Sequence, residues 1–225
     1  RGSYDPNRDI NGISGTSIPF RLEYRNDFEG KRCVIKATSA NLSFWSDINF
    51  NIDDLKTSDE TELLVKFYYD NELEWTGFVV PDFFTEEIGV ISEVNLTASD
   101  RIGILKDIEY PADDLSDDRK SLMTILDTCI KYTGLELPYK VILDIDCEEW
   151  DTSFENPLLN TFVSERRFVE NDNKNMSCYD VIQKVLSSFN CGLTQKRGHW
   201  VIFNKQQVEV GNGTIVNHSS NLSTT

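Results

Sequence analysis

Residues 177–203 read SCYDVIQKVLSSFNCGLTQKRGHWVIF, and this stretch decides the local fold of the second half of the chain. Ser177 is a typical N-cap residue, and Asp180 places a negative charge in the first turn, where the helix dipole favours it. Apolar side chains then recur at three- and four-residue spacing, which predicts an amphipathic helix. The buried stripe consists of Cys178, Val181, Ile182, Val185, Leu186 and Phe189. The segment Asn190-Cys191-Gly192 predicts a left-handed end to this helix.

Two short apolar runs follow between residues 193 and 203. They flank the polar turn Lys196-Arg197-Gly198-His199, which is typical of a β-hairpin. A helix packed over this hairpin makes a small α+β unit. A second helical stripe with a glycine end lies upstream, and its residues are Leu122, Ile125, Leu126, Cys129, Ile130 and Gly134.

The first hundred residues have a different period. From Ile18 to about Ala98 apolar and polar residues alternate, which predicts half-buried antiparallel strands. The clearest hairpin turns at Asp70-Asn71-Glu72, and Pro81-Asp82 is predicted to end its second strand. With at least five short strands, this part predicts an antiparallel β-barrel or sandwich.

The fold class is therefore α+β, with the barrel or sandwich first and a smaller α+β domain with two helix-plus-strand units second. We expect an N-terminal extension over residues 1–17 and the β-rich domain over residues 18–108. The α+β domain is expected over residues 109–205, and a polar C-terminal tail or linker over residues 206–225.

Composition excludes several classes of function. The formal net charge is −16, from 38 acidic and 22 basic side chains, and such a field repels nucleic acid and anionic membranes. No apolar run approaches the roughly 20 residues of a membrane span. We expect no nucleic-acid binding and no membrane-spanning segment.

The five cysteines indicate neither a zinc site nor a disulfide framework, because they are widely spaced and lack a Cys-x-x-Cys pair. Cys129 and Cys178 lie on helical apolar stripes, which favours reduced core thiols and synthesis in a cytoplasm. The remaining three are Cys33, Cys147 and Cys191.

Catalytic groups are sparse. The two histidines, His199 and His218, lie in a predicted turn and in the polar tail, so neither fits a nucleophile triad. Asp144 and Asp146 share a predicted strand face and are the one carboxylate pair worth weighing for glycoside hydrolysis. A solvated acidic surface is the preferred interpretation in a chain with 38 acidic residues. No catalytic residue, metal ion or cofactor is expected.

Aromatic residues divide into core and surface candidates. Trp75 and Trp200 fit strand interiors, so we expect both in the core. Partner contacts are expected at a second group, because aromatic and arginine side chains are enriched at interfaces. This group comprises Phe83, Phe84, Trp150, Arg166 and Arg167.

Three segments together resemble a known family. They are WTGFVVPD at residues 75–82, LTASDRIGILK at residues 96–106, and the helix and hairpin of residues 178–203. These segments, in this order, are similar to tail proteins of phages and prophages of Bacteroides-like bacteria. The resemblance covers roughly residues 16–205.

The resemblance implies a hub or tail-tip (baseplate) protein, in which a β-barrel ring domain precedes α+β domains and several copies surround the tail axis. Such a protein is a structural, non-enzymatic homo-oligomer of the virion, is assembled in the bacterial host cytoplasm and contacts other tail proteins. None of the matching motifs is catalytic. One alternative is a carbohydrate-binding module for host surface glycans that uses Trp150 and Phe83. Another is a glycan hydrolase that uses Asp144 and Asp146.

Overall fold

The computed structural model describes residues 14–26, 34–46, 59–86, 92–112, 119–143, 156–170, 174–205 and 215–218. The strands are β1 (Ser14–Asn26), β2 (Ile35–Ser46), β3 (Leu64–Tyr69), β4 (Glu72–Glu86), β5 (Ser92–Ser99), β6 (Arg119–Ser121), β7 (Tyr139–Ile142), β8 (Phe162–Ser164), β9 (Cys191–Lys196), β10 (His199–Asn204) and β11 (Ile215–His218). The α-helices are α1 (Leu122–Ile130), α2 (Pro157–Asn160) and α3 (Cys178–Ser188), and short 3-10 turns cover residues 102–106, 131–133 and 165–168. This confirms the predicted α+β class.

Five strands form a curled antiparallel sheet in the order β1-β2-β5-β4-β3. Its inner face is filled by Trp75, which is fully buried between Ala40 and Ala98. The edge strands β1 and β3 approach through the stacked rings of Phe20 and Phe67, whose centroids are 3.9 Å apart. In the described residues β1 pairs only with β2 and β3 only with β4, so the sheet is open and sandwich-like. A closed barrel is not formed.

Prolines interrupt two of these strands without ending them. The register shifts between Gly15 and Phe20 in β1, a stretch that contains Pro19, and between Val79 and Phe84 in β4, which contains Pro81. Proline has no N–H to donate to a ladder, so each strand bulges at that point. The prediction that Pro81-Asp82 ends the strand is wrong, because β4 resumes its pairing with β5 and continues to Glu86.

The second half of the chain adds four strands to the sheet, in the order β11-β7-β10-β9. β10 is antiparallel to β9 and parallel to β7. Helices α1 and α3 pack on each other, and their stripes share one large core with Tyr139, Trp200 and Ile202. Both tryptophans predicted for the core, Trp75 and Trp200, are fully buried.

Strand β9 joins the two halves. It lies parallel to the start of β2, pairing Leu193 with Ile35. Farther along β9, the buried Gln195 side chain accepts a 2.8 Å hydrogen bond from the Thr76 N–H and donates one of 2.8 Å to the Thr76 carbonyl oxygen. β5 ends opposite Phe78, so Thr76 lies beyond the reach of β5 pairing. The side-chain amide of Gln195 therefore makes the backbone hydrogen bonds that a neighbouring strand would make at this point of β4.

The predicted domain boundary near residue 109 stays a prediction. The large core contains side chains from both predicted domains, including Phe78, Ile102 and Leu126. β1 begins inside the predicted extension, and β11 lies inside the predicted tail.

Local signals produce the predicted ends of α3. The Ser177 Oγ accepts the Asp180 N–H at 3.1 Å and donates to the Asp180 carboxylate at 2.7 Å. The left-handed residue after the helix is Asn190, with φ 52°. Gly192 lies instead in β9 beneath the Phe203 ring, where an added Cβ would come within 2.7 Å of that ring. Glycine is needed there for close packing, not for helix termination.

Replacing Gln195 by leucine should destabilise the fold. Leucine keeps the volume but leaves the buried N–H and carbonyl of Thr76 without partners, which costs about 2 to 4 kcal/mol. Chemical denaturation of Gln195→Leu measures the loss, with Gln183→Leu on the half-buried side of α3 as the control. Equal stabilities of the two variants would show that the hydrogen bonds between Gln195 and Thr76 do not stabilise the fold.

Candidate association surfaces

Exposed apolar side chains concentrate on the curled sheet. Among the described residues eight large hydrophobic side chains are exposed, and six of them lie on β1, β2 and β3. The six are Ile18, Tyr24, Trp45, Leu64, Tyr68 and Tyr69. Tyr69, at the end of β3, is the most exposed of them at 69%. Exposed apolar groups gathered in one region are a feature of interaction surfaces.

We define the β3 surface as Leu64, Tyr68, Tyr69, Asp70 and Glu72. The first three lie on the sheet's edge strand, and Asp70 and Glu72 add exposed negative charge at the hairpin turn. The turn is tight, because Asp70 and Asn71 both have positive φ, 49° and 62°. Within the ranges described, the outer edge of β3 has no strand partner. An edge of this kind is able to pair with another chain.

A second surface lies on the α+β side. We define the arginine surface as Phe162, Arg166 and Arg167. Phe162 is 57% exposed on β8, and both arginines are exposed on the 3-10 turn that follows. Aromatic and arginine side chains together are typical of interface hot spots.

The turn that carries the two arginines is held rigidly from beneath. The Glu165 side chain is buried, accepts the Tyr110 hydroxyl at 2.5 Å and pairs with Lys120 at 2.9 Å. Burial and this carboxylate raise the pKa of Tyr110 above its usual value, so its hydroxyl stays protonated and donates. On the other side, the Lys184 Nζ donates to the Arg167 carbonyl oxygen at 2.9 Å. The arginine surface is therefore presented by an ordered backbone.

The predicted partner residues fall in three places. Arg166 and Arg167 are exposed, whereas Trp150 lies outside the described residues. Phe83 and Phe84 lie on β4, where only the backbone is described; it pairs Phe84 with Leu96. The contact role of all five stays a prediction. Phe162 was missed from the sequence, although an aromatic residue four positions before an arginine was a usable signal.

Buried carboxylates are the groups most relevant to catalysis, and those described are held in structural contacts. Asp127 accepts the Tyr139 hydroxyl at 3.0 Å and pairs with Lys131 at 2.6 Å beside a cavity of about 300 Å³. Burial, followed by the nearby Asp127 charge, raises the pKa of Tyr139 and keeps it protonated. Asp144 and Asp146, the predicted carboxylate pair, lie outside the described residues.

Asp100 is a further buried acid, exposed at only 1%. Its Oδ2 accepts the Thr38 N–H at 2.6 Å and the Thr38 hydroxyl at 2.7 Å, and its Oδ1 accepts the Ile102 N–H at 3.1 Å. The Thr38 Oγ1 in turn accepts the Trp75 indole N–H at 2.9 Å. Burial outweighs these hydrogen bonds and raises the pKa of Asp100 to about 6. This network ties the end of β5 to β2.

The described cysteines are core thiols, as predicted. Cys129, Cys178 and Cys191 are free and buried, and burial raises the pKa of Cys191 to about 12. In the part of the chain that the structure describes, no three potential metal ligands come together. No described helix has the length and apolar character needed to cross a bilayer.

No protein-family model and no curated protein matches this chain. Three solved structures that this chain resembles are tail proteins. The 43 kDa tail protein of prophage MuSo2 from Shewanella oneidensis is 15% identical with a TM-score of 0.43, over 83% of this chain and 51% of that one. A tail protein from Neisseria meningitidis MC58 is 11% identical with a TM-score of 0.40, over 81% and 50%. Prophage tail protein gp18 from Listeria monocytogenes EGD-e is 11% identical with a TM-score of 0.40, over 84% and 46%.

The chain thus spans about half the length of each of these three structures. At such identities and TM-scores the likeness assigns no function.

The raised pKa of Asp100 predicts a pH-dependent stability. Between about pH 4 and pH 6 the Asp100 carboxyl group binds more protons in the folded state than in the unfolded state. The free-energy cost of burying its ionised form is therefore absent below about pH 4 and complete above about pH 6. Asp100→Asn removes this dependence. The stability of Asp100→Asn relative to the native protein should therefore rise by roughly 2 to 3 kcal/mol from pH 4 to pH 7.

Urea unfolding of both proteins across that pH range measures the difference. Taking the difference cancels the titration of the other carboxylates. A difference that stays flat with pH would show that Asp100 has an ordinary pKa in the folded state.

Proposed function

We propose that this chain is a structural component of a bacteriophage tail tip or baseplate hub. Copies associate into a ring around the tail axis and dock other tail proteins. The protein acts in the virion after assembly in the host cytoplasm, and it works without a cofactor and without catalysis. Its mechanism is geometric, because the surfaces that it presents set the positions of its neighbours.

The observation that carries this proposal is the β3 surface. It combines a strand edge that has no strand partner within the described ranges with the exposed side chains of Leu64, Tyr68 and Tyr69. Proteins normally protect such an edge with charge, proline or a covering element. Among the described residues, protection comes from Lys66, from the acidic turn at the end of β3 and from Phe20 of β1, whose ring stacks on Phe67. Association with another chain is the simplest way to cover it.

The order of the parts supports the same function. An antiparallel sheet comes first and an α+β unit second, which is the order that the sequence resemblance to phage tail hub proteins implies, although the described sheet is open and is not the barrel expected for those proteins. In this role Phe83, Phe84 and Trp150 are expected to contact neighbouring tail proteins, together with Arg166 and Arg167.

The acidic charge fits a component that surrounds a DNA channel. A formal charge of −16 repels the phosphate backbone, so DNA passes without adhering. This property would be useful at the tail axis and unfavourable in a DNA-binding protein.

Self-association should depend on Tyr69. We expect the purified chain to form one closed oligomer as concentration rises, and Tyr69→Lys to shift it toward monomer, because lysine on an edge strand opposes pairing. Tyr132→Lys is the matched control, since Tyr132 is also exposed but lies on the α+β side. Analytical ultracentrifugation over a concentration series measures the distribution.

Imaging of phage particles with an antibody against this chain provides the second readout. Labelling at the tail end agrees with the proposed role. A chain that stays monomeric at every concentration and is missing from the tail end would contradict it.

Weak or absent DNA binding is a separate expectation. A fluorescently labelled duplex should show no anisotropy change with this chain at physiological salt, because like charges repel. Affinity that persists at that salt concentration would disprove the proposed contribution of charge to DNA passage.

A further inference from the structure

The two association surfaces carry opposite charge. The β3 surface contributes Asp70 and Glu72, while the arginine surface contributes Arg166 and Arg167 in a chain whose formal net charge is −16. Two copies therefore repel each other over most relative orientations. An orientation that brings the β3 surface of one copy to the arginine surface of another is one in which the copies attract each other.

Their apolar parts are also complementary. Tyr69 and Phe162 are 69% and 57% exposed, so neither is covered by the other within one chain. Each aromatic ring lies close in sequence to the charged residues of its own surface, Tyr69 beside Asp70 and Phe162 four positions before Arg166. A contact that buries both rings thus brings the carboxylates toward the guanidinium groups. Arginine forms planar, bidentate pairs with carboxylates that also give directional specificity.

We propose that the arginine surface of one copy docks on the β3 surface of the next copy. This inference rests on the proposed function and names the contact by which copies associate. The contact is heterologous, because two different surfaces meet. Repetition of a heterologous contact closes into a ring when the rotation per copy permits, which is the assembly proposed above.

A nucleic acid is the competing occupant of the arginine surface. Two arginines presented by an acidic chain favour a protein carboxylate surface, because the field of the whole molecule opposes the approach of a polyphosphate. The Lys184 contact and the buried Glu165 hold the arginine turn in place, which suits a fixed protein partner.

A charge exchange tests the proposal. Arg166→Glu/Arg167→Glu places acid against acid at the contact and should weaken self-association at least tenfold. Asp70→Asn/Glu72→Lys should weaken it similarly, and asparagine keeps the positive φ that position 70 requires. In the chain with all four substitutions, the glutamates introduced at positions 166 and 167 face the lysine introduced at position 72, and this chain should recover at least half of the lost affinity on a logarithmic scale.

Arg21→Glu is the control for added negative charge, since Arg21 is 69% exposed on β1 and lies outside both surfaces. Self-association is measured by analytical ultracentrifugation at two salt concentrations, and circular dichroism confirms that each variant is folded. Weakening by both double variants with recovery in the fourfold variant supports the proposal.

Several outcomes would overturn it. If the native chain forms a closed oligomer that Arg166→Glu/Arg167→Glu leaves unchanged, the named contact is wrong while the proposed function stands. Failure of the fourfold variant to recover affinity also refutes the pairing. Loss of binding to a labelled oligonucleotide in Arg166→Glu/Arg167→Glu, with unchanged self-association, assigns the arginine surface to nucleic acid. A native chain that is monomeric throughout removes the contact together with the ring.

Discussion

The fold depends on the hydrogen bonds that satisfy the backbone of β4 beyond the point where β5 ends. β5 ends at Ser99, and the N-terminal part of β4 would otherwise leave backbone groups buried without partners. Strand β9 fills the gap with the side-chain amide of Gln195, and the β9–β10 turn adds a hydrogen bond from the Gly198 N–H to the Glu74 carbonyl at 3.2 Å. Leaving a buried backbone group unpaired costs about 1 to 3 kcal/mol, so these bonds strongly favour one docking position. They fix the α+β unit against the curled sheet.

A second polar network joins β2, β4 and the end of β5 within the curled sheet. Asp100, Thr38 and Trp75 are all buried, and Thr38 on β2 is hydrogen-bonded both to Asp100 after β5 and to Trp75 on β4. Burial of the Asp100 carboxylate opposes stability at neutral pH, as its raised pKa shows. The network instead specifies geometry, because a buried polar group tolerates few arrangements. The network thereby restricts how β2, β4 and the end of β5 pack together.

Open edges connect the architecture to the proposed assembly. Pro19 and Pro81 bulge β1 and β4, and the curled sheet brings β1 and β3 together through side chains instead of through a hydrogen-bonded seam. Within the described ranges the β3 edge has no strand partner, and Tyr68 and Tyr69 are exposed. The arginine surface is held on a separate, well-supported turn. A rigid body with two unlike and oppositely charged surfaces can repeat head to tail, whereas a closed barrel would have no free edge.

The sequence alone determined the local elements. The signals for these elements lie within a few residues of each other, because they arise from periodicity and from short-range hydrogen bonding. The elements are the apolar stripes of α1 and α3, the Ser177 cap and the turns at Asp70-Asn71 and Arg197-Gly198. It also identified Trp75 and Trp200 as core residues and Arg166 and Arg167 as surface candidates. Only the tertiary structure decided that β9 lies parallel to β2, that Gln195 completes β4 across 119 residues, and that the sheet stays open. The reason is physical. The contacts of Gln195 with Thr76 and of Asp100 with Thr38 depend on which segments meet in space, and no local sequence pattern encodes that.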